Sequence, residues 1–123
     1  AHGVVIPKRR SAGLTPVVAK ASAGAIEYMP VARVSNISSA LKELQARGVW
    51  VYGTAADGTQ KLFDANFQGP TAIVIGNEGT GMGRLVRQTC DVLVRIPMRG
   101  RISSLNASAA AAILLYEAVR QRK

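Results

Sequence analysis

At 123 residues, with 48% hydrophobic and 19% charged residues, the chain has the size and composition of one globular domain. Sixteen Lys and Arg residues against seven Asp and Glu give a net charge of +9 and a pI near 10.7. A disordered tail would be poorer in apolar residues. We therefore expect a single folded domain over residues 1–123 whose basic surface attracts a nucleic acid, the alternative being a basic surface that is only solvated.

Several kinds of protein are disfavoured at once. Cys90 is the only cysteine, so no internal disulfide can form and a zinc site is not expected. No apolar run approaches the ~20 residues of a membrane span, and the start of the chain lacks the pattern of a secretory signal. We expect a cytoplasmic protein without membrane or metal partners.

The first part of the chain alternates strand and helix signals. Short β-branched runs predict strands at residues 3–7 and 31–34, and Thr15-Pro16 predicts the start of a helix between them. Ser35 or Asn36 can cap a second helix, and Gly48 supplies its stop. The apolar residues of this helix recur at helical spacing: Ile37, Ala40, Leu41 and Leu44.

The alternation continues to the end of the chain. The predicted elements are a strand at 49–52, a loop at 53–58, a strand at 71–75, a glycine-rich loop at 76–83, a helix at 84–89, a strand at 91–96, a loop at 97–101 and a closing helix from Ser103 or Ser104 to about Arg120. Strands that are apolar throughout and separated by helices indicate a parallel sheet covered on both faces. The predicted class is α/β.

Three strand ends carry unusual loops, after Tyr52, Ile75 and Ile96. Ligands bind beyond the carboxyl ends of strands in open parallel sheets, so these loops form the candidate site. Glycines at 76, 79, 81 and 83 let main-chain amides approach a ligand, although a tight turn would need glycine too. The series contains no Gly-Lys-Ser/Thr and does not follow the first strand, which disfavours a P-loop and a dinucleotide fold.

Polar residues cluster in the same loops. The Glu78 carboxylate can accept a hydrogen bond from a ribose hydroxyl, or can simply be a solvated acid near a helix N-terminus. A polar pocket or a helix-capping cluster explains Ser103, Ser104, Asn106 and Ser108.

The usual catalytic side-chain sets are missing from the sequence. His2 is the only histidine, and no carboxylate pair, Ser-His-Asp set or Cys-His pair can be assembled. Transfer of a group from a bound cofactor fits such a site. Candidate phosphate contacts are Lys8, Arg9, Arg10, Arg33, Arg84, Arg87, Arg99 and Arg101, and the low aromatic content of 5% favours folded RNA over a stacked single strand.

Two long motifs resemble a known family. Ile75-Gly-Asn-Glu-Gly-Thr-Gly-Met82 and Ile96-Pro-Met-Arg-Gly-Arg-Ile-Ser-Ser-Leu-Asn-Ala-Ser108 resemble the second and third motifs of SpoU/TrmH-type methyltransferases of the SPOUT superfamily, in matching order and spacing. The run 23–25, the strand at 49–54 and the ending at 115–122 are similar too, so the likeness covers nearly the whole chain.

The resemblance implies an S-adenosylmethionine-dependent RNA ribose 2′-O-methyltransferase with a C-terminal deep trefoil knot, an exception to the rule that chains avoid knots. It implies a homodimer and, as target, a guanosine of 23S ribosomal RNA, with the ribose of a transfer RNA as the alternative target. Residue by residue, it implies main-chain cofactor contacts at Gly76, Ile96 and Leu105, an adenosine flanked by Gly53 and Thr54, and a transfer site shaped by Glu78, Ser104 and Asn106.

One family feature has no counterpart in the sequence. The first motif, with its Asn and catalytic Arg, would stand just before Ala1. We therefore expect a truncated chain that binds the cofactor better than it catalyses. Two alternatives stay open: a non-catalytic RNA-binding or ribosome-assembly domain of the same fold, and another nucleotide-binding α/β enzyme.

Overall fold

The computed structural model describes residues 2–7, 29–76, 82–98 and 107–122. Contacts within the chain define two compact units, Ala1–Ala40 and Leu41–Lys123. The helix predicted to start near Thr15 lies outside the described residues, and the expectation of a single domain stays a prediction.

The first unit contains two short strands, β1 (Val4–Pro7) and β2 (Val31–Val34). They pair in parallel, with Val4 opposite Val31. The amide of Val4 also donates to the carbonyl of Pro30 at 2.9 Å, which extends the contact beyond the ladder. Both predicted strands are confirmed.

Helix α1 (Ile37–Ala46) begins in the first unit and ends in the second. The side-chain oxygen of Asn36 accepts a hydrogen bond from the amide of Ser39 at 3.0 Å, as an N-cap should. At the other end Gly48 has a φ of +88°, the left-handed conformation that favours glycine. Both predicted ends of this helix are confirmed.

The second unit is built on a four-stranded sheet. Its strands are β3 (Trp50–Thr54), β4 (Gln60–Lys61), β5 (Thr71–Val74) and β6 (Val92–Arg95), in the spatial order β4-β6-β3-β5. Every pairing is parallel. Helices α2 (Arg84–Thr89) and α3 (Ala107–Gln121) complete the unit. The predicted α/β class is confirmed.

The structure differs from the sequence prediction at two places. Gly53 and Thr54, predicted as the start of a loop, belong to β3 because they pair with Leu93 and Val94 of β6. Strand β4 and the 3-10 turn Leu62–Asp64 that follows it were not predicted. A two-residue strand of Gln and Lys has no apolar pattern that could predict it. It is a strand because it pairs with the edge of β6.

The core of the second unit joins the sheet, α3 and the segment after β4. Its buried members are Tyr52, Leu62, Ala65, Phe67, Val94 and Leu114. The rings of Tyr52 and Phe67 pack edge to face with centroids 4.9 Å apart, a favoured aromatic geometry. The hydroxyl of Tyr52 donates to the carbonyl of Asn66 at 2.8 Å, so the polar end of this buried residue is satisfied.

A polar network attaches α3 to the same segment. The side chain of Gln121 accepts a bond from the amide of Phe67 at 2.7 Å and donates to the carbonyl of Ala65 and the carboxylate of Glu117, each at 2.8 Å. Glu117 is buried and also pairs with Arg120 at 2.7 Å. Hydrogen bonds from Arg120 and Gln121 lower the pKa of Glu117 to about 2.

The C-terminal trefoil knot stays a prediction, because residues 99–106 lie outside the described residues. Within the described ranges, none of the helices has the length and apolar character needed to cross a membrane.

Candidate active site at the carboxyl edge of the sheet

The three loop-bearing strand ends lie side by side. Strand β3 is central, with β5 on one side and β6 on the other. Near its carboxyl end Gly53 is opposite Val74 of β5, and Thr54 is opposite Val94 of β6. Because all three strands are parallel, their following loops leave the sheet at one edge. The predicted convergence of the three strand ends is confirmed.

Gly53 is fixed as a glycine by packing. A Cβ atom at this buried position would lie 2.7 Å from the Sγ atom of Cys90 and 2.9 Å from the Cε atom of Met82. Met82 precedes α2 and Cys90 follows it, so residues at both ends of this helix pack against Gly53. A side chain cannot be accommodated here, and the main chain of Gly53 is paired within the sheet. No pattern in the sequence predicted that Met82 and Cys90 would lie beside Gly53.

Thr54 uses its side chain within the sheet. Its hydroxyl donates to the carbonyl of Val74 at 3.3 Å, which ties β3 to β5 where the ladder ends. The next residue, Ala55, donates its amide to the carbonyl of Val94 at 3.0 Å. Thr54 is therefore held from both neighbouring strands.

Two more predicted cofactor contacts follow β5 and β6. Gly76 comes two residues after β5 and is half-buried. Ile96 comes directly after β6, and its half-buried side chain packs against the core cluster. The side chain of Ile96 is therefore committed to the core, which leaves its main-chain groups for a ligand, as the family resemblance implies.

The other predicted site residues, Glu78, Ser104, Leu105 and Asn106, lie outside the described residues. Of the eight candidate phosphate contacts the structure describes three. Arg33 and Arg84 are exposed, whereas Arg87 forms an ion pair.

The loop after β3, residues 55–58, is bound closely to β6. The amide of Gly58 donates to the carbonyl of Ala55 at 3.0 Å, which makes a tight turn. A Cβ atom on Gly58 would lie 2.7 Å from the carbonyl carbon of Val94, so only glycine lets the turn approach the strand this closely. The guanidinium of Arg95 then donates to the carbonyl of Gly58 at 2.9 Å.

The same loop is joined to α2 by an ion pair that the sequence did not reveal. The Arg87 guanidinium lies 2.8 Å from the Asp57 carboxylate, and both side chains are partly or largely exposed. The hydrogen bond from Arg87 lowers the pKa of Asp57 below its usual value. Asp57 is therefore ionised at neutral pH.

Cys90 fits a packing role better than a nucleophilic one. Burial raises the pKa of its thiol, and the thiol donates a hydrogen bond to the carbonyl of Val86 at 3.3 Å. A protonated thiol is a poor nucleophile. Among the described residues, His, Cys, Asp and Glu side chains do not gather into a group able to hold a metal ion.

The described part of the edge suits a ligand with a flat apolar ring. Gly53, Gly76 and Ile96 lie at or just beyond the carboxyl ends of β3, β5 and β6, and Ile75, next to Gly76, has a half-buried apolar side chain. Main-chain amides and carbonyls can bond the polar rim of a base, and aliphatic side chains can pack on its faces.

Comparison with known proteins now defines the class. A model described as the SpoU rRNA Methylase family matches residues 1–116. Since the match covers most of the chain, the protein belongs to the SpoU rRNA methylase family, and the resemblance seen in the two motifs is confirmed.

Particular relatives are similar over the whole chain. The 23S rRNA (guanosine-2′-O-)-methyltransferase RlmB of Ralstonia nicotianae is 54% identical over 122 residues, which are 99% of this chain and 49% of that protein. The RlmB of Photobacterium profundum is 50% identical over 123 residues, which are 100% of this chain and 50% of that protein. The chain thus spans about half the length of these curated relatives.

A solved structure is similar as well. The SpoU methyltransferase AviRb of Streptomyces viridochromogenes, determined in complex with the cofactor AdoMet, aligns with a TM-score of 0.90 at 37% identity. The alignment covers 99% of this chain and 48% of that one. The likeness therefore includes both units of the chain.

Proposed function

We propose that the protein transfers a methyl group from S-adenosylmethionine to a ribose 2′-hydroxyl of structured RNA, with a guanosine of 23S ribosomal RNA as the target. The observation that carries the proposal is the alignment of 99% of this chain with a SpoU methyltransferase that binds AdoMet. The name of the RlmB relatives supports the choice of target.

The cofactor is assigned to the carboxyl edge of the sheet. Main-chain groups of Gly76, Ile96 and Leu105 would bond the cofactor, with Gly53 and Thr54 beside its adenosine. Two features of the described residues support this. The side chains of Thr54 and Ile96 are already used within the protein, and Gly53 has none, so an adenosine beside them would pack against main-chain atoms and not against polar side chains.

The transfer step is assigned to Glu78, Ser104 and Asn106, on the strength of the two sequence motifs. Bound S-adenosylmethionine supplies a methyl group activated by a positively charged sulfur. The side chains of these three residues can hold a ribose by hydrogen bonds and orient its 2′-hydroxyl, and orientation of this kind contributes much of the rate of a group transfer.

The RNA partner is supported by charge. A net charge of +9 on 123 residues attracts the negatively charged phosphate backbone of RNA over a long range. Among the described residues, Arg33 and Arg84 have exposed side chains that can contact phosphates. We place the protein in the cytoplasm, where a large-subunit ribosomal RNA would be its substrate.

A homodimer completes the proposal and is supported by the surface of α3. Ile113, Leu115, Tyr116 and Val119 are exposed on this helix, with Tyr116 74% accessible. An apolar groove of about 450 Å³ lies between α3 and the 3-10 turn, lined by Leu62, Phe63, Ala112, Ile113, Tyr116 and Glu117. Exposed apolar surface of this kind marks an interface. Sedimentation at micromolar concentration should give twice the monomer mass, and a monomer would remove this part of the proposal.

The reaction is tested by incubating the protein with methyl-labelled S-adenosylmethionine and large-subunit ribosomal RNA, with transfer RNA as the comparison. We expect label in the ribosomal RNA, at one nucleotide whose 3′ linkage resists alkaline hydrolysis because its 2′-oxygen is blocked. Label on a base would contradict ribose methylation. Saturable RNA binding with no transfer would favour the non-catalytic alternative.

A further inference from the structure

We propose that Asp57 and Arg87 are positioning residues for the cofactor: their ion pair holds the loop after β3 against α2 and so fixes the course of the chain directly beyond Gly53 and Thr54. The inference rests on the proposed function, because it assumes that these two residues flank the cofactor. It goes further by assigning a role to two residues outside the family motifs found in the sequence.

The first support is that α2 and the residues bordering it contact the β3 end and its loop at three places. Met82, just before α2, and Cys90, just after it, border Gly53. Arg87, within the helix, reaches Asp57 of the loop at 2.8 Å. The two outer contacts are apolar and lack direction, whereas an ion pair with a hydrogen bond fixes distance and angle. The Asp57–Arg87 pair therefore sets the position of the loop along α2.

The second support is that the opposite side of the loop is already fixed. Ala55 and Gly58 are bonded to Val94 and Arg95 of β6. The loop thus lies between β6 and α2, and the ion pair is its polar attachment to the helix. Since α2 follows the glycine-rich segment 76–83 directly in the chain, the pair links two of the three loops of the proposed cofactor site.

The third support comes from comparison with the other ion pairs. Among the described residues, Glu43 pairs with Arg47 and Glu117 with Arg120 within single helices, four and three residues apart. The Asp57–Arg87 pair joins residues 30 apart in the sequence. A contact of that kind connects separate elements, while the other two act within α1 and α3.

The pair is exposed, so its effect should appear in ligand binding more than in stability. Arg87 and Asp57 are 40% and 71% accessible, and exposed pairs add little to the free energy of unfolding. Asp57→Asn and Arg87→Gln should each raise the Kd for S-adenosylmethionine by about three- to fivefold. Their melting temperatures should stay close to that of the unchanged protein.

The two variants separate positioning from simple charge. Asp57→Asn removes a negative charge and Arg87→Gln removes a positive one, so a long-range effect on a charged cofactor would have opposite signs in the two proteins. Loss of positioning weakens binding in both. The double variant Asp57→Arg, Arg87→Asp should restore the Kd to within about twofold of that of the unchanged protein. In 1 M salt, the Kd values of the single variants and of the unchanged protein should differ less, because salt screens the ion pair.

The matched control is Glu43→Gln, which breaks the exposed pair within α1 and should leave the Kd unchanged. All titrations are calorimetric, and the unchanged protein is measured first. If the unchanged protein binds no S-adenosylmethionine, the proposed function fails. If it binds and both variants bind equally well, or shift in opposite directions, the positioning role of Asp57 and Arg87 is wrong.

Discussion

The carboxyl edge of the sheet and the α3 side of the same unit are held together in different ways. At the edge, small residues and main-chain bonds predominate: Gly53 and Gly58 let other groups approach closely, and Ala55 bonds through its amide. On the α3 side, large side chains fill a core, and Glu117 and Gln121 add a buried network. The difference separates residues arranged for a ligand from residues arranged for stability.

At the edge, a change at Gly76 should have the largest effect on binding and should leave folding intact. A Gly76→Val side chain would fill space that the glycine leaves free for the cofactor. Affinity for S-adenosylmethionine should fall by more than about 100-fold, at least ~2.7 kcal/mol, while the melting temperature changes little. Calorimetry and thermal denaturation measure the two quantities, and wild-type affinity in this variant would show that the site is elsewhere.

The reverse result is expected on the α3 side. Phe67 is fully buried against Tyr52 and Leu114. Phe67→Ala should lower the free energy of unfolding by about 3–5 kcal/mol, measured by urea denaturation. Below its melting temperature the folded variant should bind S-adenosylmethionine with nearly unchanged Kd. A large change in Kd would mean that the two regions are coupled.

Gly53 lies at the carboxyl edge and is also closely packed, so a substitution there should affect both binding and stability. Gly53→Ala would place a Cβ atom against the Sγ atom of Cys90 and the end of Met82. Crowding should lower the free energy of unfolding by about 1–3 kcal/mol and weaken cofactor binding together. The second change Cys90→Ala should recover part of both losses, since it removes the closest atom. A Gly53→Ala protein with unchanged stability would contradict the observed packing.

The smallest effect concerns the pH dependence of stability. Because folding lowers the pKa of Glu117 to about 2 from 4.5, its ionised form stabilises the protein fully above about pH 5, and this contribution is lost as the pH falls toward 2. Glu117→Gln should lower the melting temperature by about 4–8 °C at neutral pH. Between about pH 5 and pH 2 the melting temperature of this variant should fall less than that of the unchanged protein. The exposed Glu43→Gln serves as the control. If the melting temperatures of the two variants depended on pH in the same way, ionised Glu117 would not stabilise the protein.

Sequence reasoning located most elements because their signals are local. The Asn36 cap and Gly48 stop mark α1, and α2 was predicted over its observed range Arg84–Thr89. Strand β4 was missed because pairing with β6, and not its own composition, makes it a strand. The burial of Phe67 was missed for a related reason: it lies in an irregular segment without periodicity.

The site was predictable to the same extent. The unusual loops in the sequence indicated the ends of β3, β5 and β6 as the site. Ligands of open parallel sheets bind at the carboxyl ends of the strands, so these three ends were expected to lie together. The Asp57–Arg87 pair and the packing of Met82 and Cys90 around Gly53 depend on how α2 lies against the sheet. No local sequence pattern encodes that arrangement. The assignments of Glu78, Ser104, Leu105 and Asn106 stay predictions that depend on the family motifs.

A calorimetric titration of the folded protein with S-adenosylmethionine decides whether the carboxyl edge of the sheet binds this cofactor. S-adenosylhomocysteine serves as the second ligand and ATP as the control. We expect saturable binding of S-adenosylmethionine and S-adenosylhomocysteine at one site per chain, and no binding of ATP. Absence of binding by folded protein, or displacement of S-adenosylmethionine by ATP, would contradict this expectation.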